Sequence, residues 1–424
     1  MATTLTVYNT PQVAPVTGFW SRARKAGLAF AVLGVLAAGV LAFQARAGAP
    51  ARFAVGVTTT GFAISVPGRV GAIVLGIICA LTGGVLLTGR YDRWLRSLSA
   101  LGLGTLVLSV LCSQVAGHTM ALGDLARTTV LGALPLVFGA LGGVLCERTG
   151  VINVAIEGQL LTGAFAASLF GTLAASTWVG LFAAAAGGLF IALLLAVLAI
   201  RYLVDQVVLG VVLNVFALGL TGFLFTQLMQ RNTDKYNFPP TFAAWRIPLL
   251  GDIPIVGPAL FRSNVFGYLA IVLVIVVHVG LFHTRWGLRT RAVGEHPTAA
   301  DTVGIKVGWT RYRNVLLGGI VAGIGGAALT VGDVGGFANN MTSGKGFIAL
   351  AAVIFGRWSP LGATLAALLF GFSQALAAFL GIVGSRIPTE FLGMLPYVVT
   401  IIAVAGLVGR VRAPAADGQP YVKG

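Results

Sequence analysis

Long apolar runs separated by short polar stretches dominate this chain. A helix needs about 20 apolar residues to cross the hydrocarbon core of a bilayer. The runs of suitable length lie at 26–45, 70–88, 99–117, 127–145, 158–175, 178–200, 207–230, 264–283, 314–332, 342–356, 361–383 and 392–409. This pattern predicts an all-α polytopic integral membrane protein with about 10–12 transmembrane helices, including short or re-entrant segments.

Two apolar segments depart from the simple spanning pattern. Residues 342–356 are short and bounded by glycine, which favours a re-entrant segment. Residues 147–157 are apolar but interrupted by charged and polar side chains. Irregular backbone at membrane depth is tolerated where it faces a water-filled path, so this segment is a candidate cavity lining.

Composition supports the membrane assignment. The chain is 57% hydrophobic and 9% charged, whereas soluble domains carry about 25% charged residues. The 59 glycines suit close helix–helix approach in lipid. In particular, the GxxxG pattern at 319–323 predicts a helix-packing contact.

The net charge of +16 would suggest nucleic-acid binding in a soluble protein. Here the basic residues lie in short stretches between apolar runs, so they indicate topology and no nucleic-acid partner. If the N-terminus is inside and all twelve runs cross the membrane, 18 of the 28 Lys and Arg residues fall on the cytoplasmic side. The most basic loop, 284–313, then also lies on the cytoplasmic side. We therefore expect a multi-pass plasma-membrane (inner-membrane) protein with both termini cytoplasmic.

The N-terminus has the outline of a signal peptide. Three basic residues precede the apolar run 26–43, and Ala45-Arg46-Ala47 resembles a cleavage site. The run exceeds the usual length of about 7–15 residues for a signal-peptide core, so a retained first helix is the favoured interpretation. Residues 1–19 are polar and are expected to be disordered.

The sequence offers no chemistry of its own. Its three cysteines and four histidines show no metal-ligand spacing, and no catalytic constellation is evident. The stretch 342–346 is similar to the end of a phosphate-binding loop, but Asn339 replaces its first glycine and Gly346 its Ser/Thr. We expect no catalytic residue, metal or cofactor, and any ATP hydrolysis must come from another chain.

Polar residues in or beside apolar runs are the candidates for function. Asn153 and Glu157 are four apart, so a helical turn would place them on one face, where they could line a pathway or cap a broken helix. Asn214 lies inside an apolar run and could line the path or join helices. Phe337, Asn340 and Ser343 combine a ring with polar groups, which suits a ring-bearing polar ligand or an ordinary interfacial loop.

The basic loop 284–313 contains the outline of a short helix. Pro297 opens an Ala-rich stretch and Gly304 follows it. Such a helix could dock a soluble partner; the alternative is a solvated basic loop that only sets topology. The candidate docking residues are Glu295, His296, Ala299, Ala300, Asp301 and Gly304.

Three long blocks carry a family resemblance. ERTGVINVAIEG at 147–158, GLRTRAVGEHPTAADTVGIKV at 287–307 and MTSGKGFIALAAVIFGRWSPLGA at 341–363 occur in this order. They resemble ABC importer permeases of the ribose and branched-chain amino-acid type, and most closely the nucleoside (guanosine/uridine) branch. The likeness covers roughly 125–410.

The resemblance implies partners and roles. A second permease subunit, cytoplasmic ABC ATPase subunits and an extracellular substrate-binding lipoprotein are expected, with a small-molecule substrate and membrane lipid. Residues 295–304 would be the coupling helix to the ATPase, and Asn153, Glu157 and Asn214 would lie near the central path. The implied division is a cytoplasmic tail 1–25, a transmembrane extension 26–125, a permease core 126–410 and a cytoplasmic tail 411–424.

The expected function is therefore translocation of nucleosides by a subunit that is not itself an enzyme. One alternative keeps the class but changes the substrate to a simple sugar such as ribose, or to a branched-chain amino acid. Another is a proton- or sodium-coupled secondary transporter, although few buried carboxylates and no inverted repeat are evident.

Overall fold

A computed structural model describes residues 21–45, 48–59, 61–90, 94–384, 388, 391, 393–394 and 412–423. Within these ranges, nine helices are long and apolar enough to cross a membrane, which confirms an all-α polytopic protein. The last predicted run, 392–409, and the tail 1–19 fall largely or wholly outside the described residues, as do Arg46 and Ala47 of the cleavage-like motif. The chain divides into two compact units.

The smaller unit contains the first helices. Helix α1 (Arg22–Leu36) continues through a π-helical turn (Ala37–Leu41) into α2 (Ala42–Gln44), and is followed by α3 (Gly68–Leu87) and α4 (Leu95–Gln114). The run that resembled a signal peptide thus lies in one helical stretch of spanning length, 23–44.

Glycines let α1 and α3 pack with their backbones in contact. A Cβ at Gly27 would lie 2.7 Å from the carbonyl oxygen of Gly83, and one at Gly34 would lie 2.7 Å from that of Gly76. Beside these glycines, Phe30 and Leu86 are buried in the apolar core of this unit. The sequence expectation that glycine serves close helix approach holds here.

The larger unit adds the remaining helices. They are α5 (Leu122–Glu147), α6 (Ile156–Leu173), α7 (Thr177–Ala196), α8 (Gln206–Leu224), α9 (Thr233–Tyr236), α10 (Val265–His283), α11 (Arg285–Glu295), α12 (Pro297–Thr302), α13 (Val307–Leu329), α14 (Lys345–Phe355) and α15 (Pro360–Ile382). The short run at 342–356 is thus an 11-residue helix, too short to span a bilayer by itself.

Short strands occur where the sequence indicated only loops. Strands β1 (Pro50–Ala54), β2 (Ala63–Pro67) and β3 (Thr119–Ala121) form a sheet of order β2-β1-β3, in which β1 and β3 run parallel. In the stretch 231–263, β4 (Trp245–Arg246) pairs antiparallel with β5 (Arg262–Ser263). Together with helix α9, this pair gives the stretch regular structure.

Helix α5 lies at the centre of the larger unit. All its residues from 133 to 147 are buried, and α10, α13, α14 and α15 surround it in one apolar core. Phe138 of α5 meets Phe266 of α10 edge to face, with ring centroids 6.5 Å apart.

The GxxxG pattern of α13 forms the predicted packing contact. A Cβ at Gly319 would clash with Ala192 of α7, and one at Gly323 would clash with the carbonyl of Ala184. Both positions therefore require glycine for the observed helix separation.

The basic stretch 284–313 is more helical than the sequence indicated. The short helix between Pro297 and Gly304 is present as α12, and Gly304 has a left-handed φ of 84°. Helix α11 was not predicted, because its basic composition hides an amphipathic pattern. Gly287, Thr290 and Gly294 are buried at helical spacing, while Arg285, Arg289 and Glu295 are exposed.

Candidate functional site

The segment between α5 and α6 is irregular and fully packed. Asn153 is completely buried and exchanges hydrogen bonds with Gln159, at 3.1 Å and 3.3 Å. Residues 151–155 make no helical turn, so Asn153 and Glu157 do not share a helix face as expected. The side chain of Asn153 holds the start of α6 in place.

Glu157, in the first turn of α6, caps the N-terminus of α14. Its carboxylate accepts hydrogen bonds from the Thr342 hydroxyl at 2.6 Å and from the backbone N–H groups of Gly344 and Gly346, at 2.8 Å and 2.5 Å. A carboxylate at a helix N-terminus satisfies free N–H groups and complements the helix dipole. The stretch compared with a phosphate-binding loop is thus occupied by the protein's own carboxylate.

Glycine at position 346 makes this approach possible. A Cβ there would clash with the backbone of Glu157. Two of the three sequence blocks, 147–158 and 341–363, therefore meet at one contact. Of the two interpretations left open for Glu157, the helix cap describes its position in this conformation.

Asn214 joins α8 to the same place. Its side-chain oxygen accepts a hydrogen bond from the Gly158 N–H at 2.8 Å, and its amide donates to the Val154 carbonyl at 2.9 Å. Both partners flank the start of α6. Asn214 thus connects two helices, which is the more common role of a polar side chain inside an apolar run.

Phe337 is buried and does not face an open space. Its ring packs against Phe165 and Phe225, with centroids 5.3 Å and 5.8 Å away. Its backbone N–H donates to Asn237 at 2.7 Å, and its carbonyl accepts from the same amide at 2.8 Å. Since Ser168 of α6 also donates to Asn237, Phe337 anchors the loop to α6.

Asn340 and Ser343 lie on the surface of the loop that Glu157 caps. Both are exposed and have left-handed backbone, with φ of 55° and 43°. Phe347, one turn further on, exposes 48% of its surface. These three side chains present an amide, a hydroxyl and a ring outward from a loop that a buried carboxylate holds in one conformation.

The candidate docking residues divide by exposure. Glu295, His296, Ala299 and Gly304 are exposed, and Asp301 is half-buried. Ala300 is different: only 3% of its surface is exposed, because it packs in a small apolar cluster. Its side chain therefore supports α12 from inside and is not available to a partner, contrary to the expectation that it forms part of the docking face.

Helix α11 rests on the segment that follows α5. A Cβ at Gly294 would clash with the carbonyl of Arg148, so glycine is required where these elements cross. Arg148 in turn donates from Nε to the carbonyl of Trp358 at 2.7 Å, and the Trp358 indole donates to Glu147 at 2.5 Å. Trp358 was not a sequence candidate because its partners are more than 200 residues away.

A polar cluster marks the stretch between α8 and α10. The Asp252 carboxylate bonds to Arg246 and, at 3.0 Å, to Arg262. The hydrogen bond from Arg246 is the main cause that lowers the pKa of Asp252. A groove of about 470 Å³ lies beside this cluster, and its lining consists of residues 251–255, Pro258 and Arg262 together with residues 55–58, Gly61 and Phe62. In the described part of the chain, no group of three His, Cys, Asp or Glu side chains could hold a metal ion.

Comparison with known proteins identifies the family. The family described as the permease component of the branched-chain amino acid transport system matches residues 126–404. The chain belongs to this permease family. All three sequence blocks fall inside the matched range, and the contacts of Glu157 with Gly346 and of Gly294 with Arg148 bring them together in this permease.

Individual relatives are similar over most of their length. The permease is 43% identical over 318 residues to the guanosine ABC transporter permease protein NupQ of Bacillus subtilis (72% of this chain and 98% of the relative). It is 42% identical over 301 residues to the nucleoside ABC transporter permease protein NupC of Lactococcus lactis (68% and 93%). A putative glucose ABC transporter permease protein of Haloferax volcanii, TsgC13, is 36% identical over 256 residues (59% and 76%). No solved structure matches the chain.

Proposed function

We propose that this chain is the permease subunit of an ABC importer that carries nucleosides across the membrane. The observation that carries the proposal is the 43% identity to a guanosine permease over 98% of that protein's length. The family membership supports the class of transporter, and the two nucleoside-named relatives support the substrate.

The loop capped by Glu157 is the proposed lining of the central path. Asn340 and Ser343 offer hydrogen-bonding groups, and Phe347 offers a ring face, which together suit the base and sugar of a nucleoside. In this proposal Asn153, Glu157 and Asn214 hold the loop and the start of α6, and Phe337 anchors the loop from behind.

Energy is proposed to enter through α12. A separate ATPase subunit would contact the exposed residues Glu295, His296 and Ala299. Because α11 rests on the segment after α5, a push on α12 would reach the start of α6 and the capped loop. The permease would then alternate between inward- and outward-open states without covalent chemistry of its own.

The remaining partners and the topology complete the proposal. A second permease subunit would share the path, and an external substrate-binding lipoprotein would deliver substrate to the side that carries the Asp252 cluster. The protein would lie in the plasma membrane, with both termini on the cytoplasmic side. The chain would divide into a tail 1–25, an extension 26–125, a permease core 126–410 and a tail 411–424.

Uptake of labelled substrates tests the proposal. Cells with and without the chain are given labelled guanosine, uridine or ribose, before and after ATP depletion. We expect loss of ATP-dependent guanosine and uridine uptake when the chain is absent, with ribose uptake unchanged. Uptake that survives ATP depletion but collapses with the proton gradient would instead indicate a secondary transporter.

Import of a simple sugar is the second candidate function. It is favoured by the 36% identity to a putative glucose permease, which shows that this family is not restricted to nucleoside-named proteins. Loss of labelled glucose or ribose uptake alone, with nucleoside uptake intact, would support the sugar and reject the nucleoside.

A further inference from the structure

The described C-terminal segment, residues 412–423, packs onto two separate elements. The Ala416 N–H donates to the carbonyl of Gly294 in α11 at 2.9 Å, and the Gly418 N–H donates to the carbonyl of Gly150 at 3.2 Å. The Ala415 N–H donates to the Glu295 carboxylate at 3.3 Å. The segment therefore joins the end of α11 to the loop after α5 through its backbone.

Arg311 of α13 adds a buried side chain to this junction. Only 2% of its surface is exposed. It donates from Nε to the carbonyl of Thr149 at 3.2 Å and from Nη1 to the carbonyl of Gln419 at 2.9 Å. One guanidinium thus holds the same loop and the same segment, and Asp417 of that segment lies close to it.

Tyr421 connects the segment to α12. It hydrogen-bonds to Asp301, and its ring packs on the apolar cluster of Val293, Ala300 and Val307. Ala300 is the one buried residue of α12. The few apolar contacts that hold this six-residue helix therefore include a residue from the far end of the chain.

The fit is close at the loop as well. Gly150 has φ of 82°, and a Cβ there would lie 2.7 Å from the carbonyl oxygen of Ala416. Ala416 itself is 3% exposed. A terminal segment with no role in the fold commonly frays in solvent, whereas this one contributes backbone and side-chain contacts to α11, α12, α13 and the loop after α5.

We propose that residues 412–423 are a positioning segment that ties α11 and α12 to the loop after α5, so that movement of α12 is transmitted to the start of α6. The proposal rests on the proposed function, in which α12 receives the push of an ATPase. Without the segment, α12 would keep its exposed docking face but lose its connection to the pathway. The complex would then hydrolyse ATP but transport less substrate.

Removal of residues 412–424 from the full transporter complex is the central test. We expect uptake to fall about tenfold, within the usual range of allosteric coupling, while ATP hydrolysis by the assembled complex changes by less than about twofold. The matched control is Lys423→Ala, at an exposed position of the same segment. Unchanged uptake in the truncated complex would overturn the proposal, and so would an equal loss of uptake and hydrolysis in a complex that still assembles.

The smaller change Tyr421→Phe covers the case in which the truncated chain fails to fold. It removes the hydrogen bond to Asp301 and keeps the ring in the apolar cluster. We expect a partial loss of uptake at unchanged hydrolysis. Full uptake by this folded variant would contradict the tie through α12.

A cross-link tests whether the tie moves as one body with α12. The variant Asp301→Cys/Tyr421→Cys is joined by a short thiol-reactive linker; the native Cys79, Cys112 and Cys146 are buried. We expect the cross-linked complex to retain the uptake that the same double-cysteine variant shows before the linker is added. Loss of uptake that reverses when the linker is cleaved would mean that the segment must release during transport, which contradicts the proposal.

Hydrogen exchange tests whether residues 412–423 hold α11 and α12 in place, independently of the proposed function. Amide exchange in residues 285–302 is compared between the full chain and the chain truncated after 411. We expect faster exchange in the truncated chain, and unchanged protection would overturn the tie whether or not any uptake is found. If the full chain supports no ATP-dependent uptake, the proposed function fails while this comparison still decides the tie.

Discussion

Glu157 is the residue on which the candidate site depends most. Its carboxylate accepts three hydrogen bonds, two of them from backbone N–H groups at the start of α14. The sequence marked it as a polar residue in an apolar run but could not supply its partners, which lie about 185 residues further along the chain. A charged residue in an apolar run indicates that a polar partner is present, but the sequence does not show which residue that partner is.

The substitution Glu157→Gln is expected to destabilise the capped loop. An amide carries no charge and places an N–H group against donors, so about 1.5–3 kcal/mol of unfolding free energy should be lost. Denaturation of the purified chain in detergent measures this. Ser343→Ala, at an exposed position on the same loop, is the control and should leave stability unchanged. Equal stability of the two variants would refute the cap.

Gly346→Ala should weaken the same contact between α6 and α14, but through steric overlap and not through the loss of a charge. The added methyl group meets the backbone of Glu157, so α6 and α14 must separate. We expect a lower unfolding temperature and lower uptake. Gly308→Ala is the matched control, because nothing lies within 4 Å of a Cβ there. A Gly346→Ala chain as stable as this control would show that the contact is dispensable.

Asp417 predicts a pH dependence of segment docking. Burial raises its pKa from 3.8 to about 7, although the charge of Arg311 opposes the shift, and the Glu147 carboxylate lies nearby. Between about pH 4 and about pH 7, Asp417 is protonated in the docked segment and ionised in a free segment. Docking therefore weakens as the pH rises through this range and no longer changes above it.

Protection of residues 412–423 from hydrogen exchange at pH 5 and pH 8, corrected for intrinsic rates, measures this effect. We expect stronger protection at pH 5 in the native chain. Asp417→Asn removes the titrating group and should abolish the difference. A native segment better protected at pH 8 would have the wrong sign for this explanation.

At the level of helices and strands, apolar run length was the reliable guide. Runs such as 70–88 and 264–283 correspond closely to α3 and α10, because a membrane helix must be apolar along its whole length. Helix α11 was missed because it is basic and its buried positions are Gly, Thr and Val. The strands near 50–67 were missed because three- to five-residue strands depend on pairing with a distant partner.

Helix α12 illustrates how structure sharpens a sequence prediction. Its position follows from Pro297 and Gly304, but which of its neighbouring alanines faces outward does not, since a six-residue helix has too little periodicity. The structure exposes Ala299 and buries Ala300.

This difference gives a matched pair of substitutions. Ala299→Trp should lower uptake about tenfold by obstructing the docking face while leaving stability unchanged. Ala300→Trp should in addition reduce the unfolding free energy by about 1–3 kcal/mol, because the interior cannot accommodate the ring. Uptake assays and denaturation of both purified chains provide the comparison. Normal uptake with Ala299→Trp would reject α12 as the coupling helix.

In the molecule as a whole, the three sequence blocks that carry the family resemblance are connected by direct contacts. The block after α5 contacts α11 through Gly294 and contacts the loop before α14 through Glu157. These contacts form a continuous path from the exposed face of α12 to the exposed loop with Asn340 and Ser343. Sequence alone could recognise the blocks but not their adjacency, which depends on pairs more than a hundred residues apart.

The most direct test of the account is guanosine uptake into vesicles that contain the complete transporter, with this chain as one permease. We expect uptake that requires ATP and the binding protein, that uridine inhibits and glucose does not, and that Ala299→Trp lowers about tenfold while the complex remains assembled. Guanosine uptake that proceeds without ATP, or that glucose but not uridine inhibits, would contradict it.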